Sequence, residues 1–171
     1  MSVHFGETIL HRPSERGGMK QLYQEGSWFA IPLIDGGYAT GLVARLSPGG
    51  KALVYLFGPR QPRPATLEVL AELRPQHALK VLRVGDMALA SGRWPVLGHT
   101  QDFDHASWPM PQFLRRIDTL RRAWRVTYAD MDPSRSEREE SVPYDTEGLE
   151  ADSLYGYGST ELLMTRLLAQ H

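Results

Sequence analysis

Residues 26–57, GSWFAIPLIDGGYATGLVARLSPGGKALVYLF, hold three short apolar runs separated by two glycine-rich turns. Trp28 to Ile34 is the first run, and Asp35-Gly36-Gly37 follows it. Tyr38 to Leu46 is the second, closed by Ser47-Pro48-Gly49-Gly50, and Ala52 to Phe57 is the third. Glycine pairs reach the positive φ that tight hairpin turns demand, so the spacing predicts a three-strand antiparallel meander. In the second run Tyr38, Thr40, Leu42, Ala44 and Leu46 share one face, while Ala39, Gly41, Val43 and Arg45 share the other. Both faces are largely apolar, which predicts a strand covered on both sides. Pro32 cannot donate to a ladder, so the first strand is expected at an edge or bulged there.

A chain of 171 residues fits one domain and buries a sizeable core. We expect a polar lead-in over 1–25 and one domain over 26–171. A net charge of −1 argues against a general nucleic-acid binder. With no cysteine, disulfides, thiolate metal ligands and a cysteine nucleophile are excluded. The opening MSVHFGETILHRPSERGG shows no apolar signal-peptide core. No run is long and apolar enough to span a membrane. A cytoplasmic protein is the expectation.

Beyond the meander, Pro64 to Leu73 predicts a short helix, Ala78 to Val84 a strand, and Met87 to Ala90 another. Leu114, Ile117 and Leu120 predict a helix from Phe113 to about Arg122, and Trp124 to Tyr128 a further strand. Residues 130–153 are the most polar stretch and are expected to form a long loop. A closing helix is expected with Ser159 as N-cap, Glu161 near its positive end, and Leu162, Leu163, Leu167 and Leu168 on its apolar side. Strands come first and no regular βαβ alternation follows. The fold class expected is α+β, a twisted and mainly antiparallel sheet with helices packed on one face. Trp28, Phe29, Ile31, Leu33, Leu42, Val43, Val54, Leu56 and Trp94 are its expected core.

Four patterns bear on chemistry. His99, Asp102, Asp104 and His105 lie within seven residues and use metal-ligand side chains, so a metal-dependent hydrolase built on the His99–His105 segment is one alternative. Yet no HExxH spacing occurs. Arg115, Arg116, Arg121, Arg122 and Arg125 with Trp124 form a basic aromatic run that suits either a solvated helix face or a nucleic-acid module over Arg115–Arg125. Gly156-Tyr-Gly158-Ser159-Thr160 opens a helix, but no phosphate-loop lysine follows. Serine chemistry lacks a GxSxG elbow, and Ser27 stands at a strand start. The fourth pattern is acidic: Glu137, Glu139, Glu140, Asp145, Glu147, Glu150 and Asp152 against Arg138 alone. It reads as a solubilising loop or as a docking surface for a basic protein. No catalytic, cofactor-binding or metal residue is assigned, and no cofactor is expected.

Several blocks in order carry a family resemblance. The first is Gly26-Ser-Trp28-Phe29-Ala-Ile-Pro32-Leu33-Ile-Asp35-Gly36-Gly-Tyr38-Ala-Thr-Gly41. Gly85-Asp86 with Gly92-Arg-Trp94-Pro95-Val-Leu-Gly98 is the second, and Trp108-Pro109-Met-Pro111-Gln-Phe113 the third. Gly156-Tyr-Gly158-Ser159-Thr-Glu161 closes the series. Together they resemble the immunity protein 26 family of bacterial polymorphic toxin systems, over about residues 20–170. Gly26-Ser27 stands where the family often has Gly-Asp, and the stretch around 130–153 has no counterpart. The resemblance implies a non-catalytic protein that binds and neutralises a cognate toxin domain. Its Gly, Pro and Trp residues set turns and fill cores, which leaves specificity to the polar surface. On that reading the acidic stretch 137–152 is the expected toxin contact, with no nucleic acid or membrane as partner.

Overall fold

The computed structural model describes residues 10–11 and 22–169. Most of the expected lead-in 1–25 lies outside them. In chain order the first six strands are β1 (Leu10–His11), β2 (Ser27–Pro32), β3 (Tyr38–Leu46), β4 (Lys51–Gln61), β5 (Lys80–Gly85) and β6 (Val96–Thr100). Then come β7 (Phe113–Ile117), β8 (Arg122–Ala129), β9 (Asp132–Val142), β10 (Glu150–Ala151) and β11 (Leu154–Tyr155). The helices are α1 (Leu67–Glu72), α2 (Met87–Ser91) and α3 (Tyr157–Leu168).

These make a mixed α+β fold with two sheets. The first runs β1-β6-β2-β3-β4-β5-β11, and the second β10-β7-β8-β9. All pairings are antiparallel except β10 with β7 and β11 with β5. The meander β2-β3-β4 is the centre of the first sheet. On one of its faces Phe29, Ile31, Val43, Val54 and Leu56 meet Ala88 and Leu89 of α2 and Met164 and Leu168 of α3. On the other, Trp28, Leu42, Leu53, Tyr55 and Phe57 meet Leu70 of α1 and Phe113, Val126 and Tyr128 of the second sheet. The second strand of the meander is therefore covered on both sides, and every expected core residue is buried.

A bulge interrupts the simple alternation of β3. Val43 pairs with Val54 and Arg45 with Leu53, which leaves Ala44 as the extra residue. Arg45 thereby moves to the face of the second sheet, and Leu46 to the helix face. Pro32 ends β2 beyond the last pairing with β6, so its missing N–H removes no ladder bond on that side. Gly41 is required by close approach rather than by its torsions. It pairs with Phe29, and a Cβ on it would stand 2.2 Å from Phe29 Cζ. The Phe29 ring in turn stacks on Trp94, with centroids 5.4 Å apart and planes 6° from parallel.

Four expectations are corrected. Phe113 to Arg122 is a strand, a turn and the start of the next strand, not a helix. Phe113 and Leu114 are buried while Ile117 and Leu120 face solvent, so the every-third-residue spacing marks no common face. Residues 130–153 contain the eleven-residue strand β9, not one long loop. Met87 to Ser91 is helical, closed by Gly92 at φ 80°. Ser159 is inside α3, whose N-cap is Gly156, and its hydroxyl donates to the Gly156 carbonyl at 3.1 Å.

Trp94 is fully buried, and its Nε1 has no hydrogen-bond partner among the described residues, so it contributes by apolar packing. Trp94→Ala should lower unfolding free energy by about 3–5 kcal/mol. Chemical denaturation measures this, and an unmoved midpoint would count against the stacking role.

Candidate protein-binding surface

The acidic stretch folds back on cations from its neighbours. β9 is an outer strand of the second sheet, and residues 134–139 along it are exposed. Glu139 accepts both terminal nitrogens of Arg115, at 2.8 and 2.7 Å. That hydrogen bonding holds the Glu139 carboxyl below its usual range. The Arg115 guanidinium also lies 5.2 Å over the Trp124 ring. Glu140 stands opposite Arg125 in the ladder and meets Arg138 at 2.6 Å. Glu137 faces Arg135 at 3.6 Å, with both side chains mostly in solvent.

Glu150 and Asp152 belong to a strap that joins the two sheets. β10 pairs with β7 in the second sheet, and three residues later β11 pairs with β5 in the first. Lys80 Nζ of β5 reaches Glu150 at 3.0 Å, and Arg83 of β5 reaches Asp152 at 3.1 Å. Both partners of the second pair are 8 % exposed. Arg83 also donates to the Pro133 carbonyl at 2.8 Å and lies 3.9 Å over the Tyr128 ring. The Tyr128 hydroxyl donates to Asp152 at 2.5 Å. Burial first, and then this bond to a carboxylate, push the phenol up to about 12.

Asp145 and Glu147 are exposed and have no ion pair among the described residues. They stand on residues 143–149, which Arg116 fastens by donating to the Tyr144 carbonyl at 2.9 Å and to the Thr146 carbonyl. Tyr144 donates to Asp118 Oδ1 at 2.5 Å. The acidic patch thus consists of two free carboxylates, exposed ion pairs on β9, and two carboxylates engaged between the sheets.

The His99–His105 segment divides between two separate contacts. His99 Nδ1 lies 2.7 Å from Ser27 Oγ, and His105 Nε2 binds the Glu25 carboxylate. Asp102 is exposed in a turn at φ 52°. Among the described residues no three His, Cys, Asp or Glu side chains are grouped to hold a metal ion. Ser27 is fully buried, so no substrate reaches its hydroxyl despite the neighbouring imidazole. The Arg115–Arg125 run alternates across two strands instead of forming one helical face. Arg115 and Arg125 there already face carboxylates. What sequence reasoning missed is the turn between β7 and β8. Asp118-Thr119-Leu120-Arg121 contains neither glycine nor proline, so nothing in it signals a hairpin.

A family model for immunity protein 26 matches residues 24–125. The chain belongs to the immunity protein 26 family. No curated protein and no solved structure matches it. The matched part of the family fold runs from the meander into the first half of β8, so β9, the strap and α3 lie beyond it. Among the described residues no helix is long and apolar enough to cross a membrane.

Two outcomes follow for stability. Asp152→Ala leaves the buried Arg83 without its carboxylate and should cost about 3–5 kcal/mol. Asp145→Ala should leave the denaturation midpoint unmoved, since its side chain is in solvent. Tyr23, Tyr55 and Tyr128 each have a folded pKa of about 12 against 10.0 for a free phenol. A raised folded value means that stability is complete below pH 10 and is lost as pH climbs toward 12. Melting temperature measured across that window should fall, and Tyr128→Phe should flatten the decline.

Proposed function

We propose that this chain is an immunity protein that binds a cognate toxin one-to-one in the cytoplasm and blocks it, without catalysis. Membership of the immunity protein 26 family carries this reading. The physical character of the molecule supports it. Its two layers are tied by the buried Arg83–Asp152 pair, and the candidate histidines His99 and His105 serve as internal ties. A rigid scaffold loses little entropy on association, which favours tight stoichiometric binding.

The acidic stretch enters the reading as a steering surface. Of the expected contacts, Asp145 and Glu147 are free to meet a basic partner, and Glu137 is exposed farther along β9, where it faces Arg135. Glu139, Glu140, Glu150 and Asp152 are committed to arginines or lysine and would contribute mainly by shaping that surface. Exposed charges alter association rate more than the lifetime of a complex.

The test is protection. Cells producing the toxin domain encoded beside this gene should survive only when this chain is co-produced, and the purified pair should form a 1:1 complex. Replacing Asp145 and Glu147 by Lys should slow association several-fold and weaken its salt dependence. An unchanged on-rate would remove these carboxylates from the steering surface, and a toxin that kills regardless would overturn the function.

A further inference from the structure

The β7–β8 turn has features that internal packing does not explain. Ile117 and Arg122 close the hairpin as its last pair, and Asp118 to Leu120 make a single tight turn. Leu120 at the apex is 62 % exposed and Ile117 beside it 37 %. Arg121 adopts φ 48°, ψ 46°, the left-handed region that suits glycine and strains other residues. Its N–H donates back to the Asp118 carbonyl at 3.1 Å.

This strained tip is braced from outside. Tyr144 bonds Asp118 through its hydroxyl, and the Arg121 guanidinium lies 4.8 Å over its ring. Arg116 at the base of the turn holds the backbone on both sides of Asp145. The result is a stiff projection with an apolar apex and two exposed arginines, Arg121 and Arg122. Its one carboxylate, Asp118, is already engaged. Interface anchors are characteristically apolar or arginine side chains held in place before binding, because a fixed anchor loses little freedom on docking.

We propose that the β7–β8 tip is the inhibitory finger of this protein: Leu120 inserts into an apolar cleft of the toxin, and Arg121 and Arg122 meet carboxylates on the rim of that cleft. This rests on the immunity reading above and names its contact element. The partner it fits is a concave, acid-rimmed surface, not a flat one. The free carboxylates Asp145 and Glu147 stand on the bracing segment, where they would meet basic groups flanking the cleft.

The test uses the full chain and the purified toxin domain encoded beside its gene. Leu120→Ser removes the apolar apex at a solvent-exposed site. Arg121→Gly removes the guanidinium while glycine keeps the left-handed backbone, so the fold should survive with an equal or higher melting temperature. Each variant should weaken binding by at least about 30-fold, mainly through faster dissociation, and should lose protection in cells. Wild-type affinity in both variants would overturn the finger while leaving the immunity function standing. Self-association of the wild-type chain that Leu120→Ser abolishes would also overturn it, by assigning the apex to a second copy. Absence of any wild-type binding to the toxin domain would remove the immunity reading, and the finger with it.

Discussion

The buried guanidinium of Arg45 fixes how the two sheets sit on one another. Its side chain is 1 % exposed, and its donors reach five acceptors. They are the carbonyls of Ala44, Trp108, His105 and Asp130, together with the Asp130 carboxylate. Two distant segments are thereby bound to β3 of the meander: the loop before β7 and the turn between β8 and β9. Such a group is tolerable inside a protein only when its hydrogen-bonding capacity is filled. The bulge at Ala44 makes this possible, since without it the same side chain would be directed among the helices. One inserted residue in a strand thus decides where a charge is buried and how the second layer docks.

From that layer the hairpin of β7 and β8 extends past the core. Near the core Phe113 and Val126 are paired and buried. One step outward Arg115 and Trp124 form a half-buried stem, and beyond it the chain turns in solvent. Rigidity grades into exposure along a single pair of strands, supported from the side by Arg116 and Tyr144. A scaffold of this form can present a contact element without making the element responsible for the fold.

Much of the architecture was legible because its signals were redundant. In the meander, glycine turns, apolar runs and strand-forming residues agree, and the two-sided burial of β3 follows from Leu42 and Val43 on opposite faces. β9 was illegible for a physical reason. It is an outer strand exposed along most of its length, so no apolar alternation marks it, and its charges serve equally to protect a sheet edge. The β7–β8 segment misled because Leu114, Ile117 and Leu120 reproduce helical spacing by coincidence, one buried and two in solvent. The acidic stretch was visible as composition, but its partners Arg115, Lys80 and Arg83 are distant in the chain. Only the folded arrangement brings opposite charges together and separates Asp145 and Glu147 from the paired carboxylates.

The strap over residues 150–155 carries a consequence for how the molecule is made. It supplies the last strand of each sheet, yet it leaves the ribosome after every strand it joins. Until then β5 and β7 are bare along one side, and Lys80 and Arg83 are without their carboxylates. A growing chain of this family member therefore holds two unfinished edges from the synthesis of β7 until the strap emerges, and closes both in a single late step.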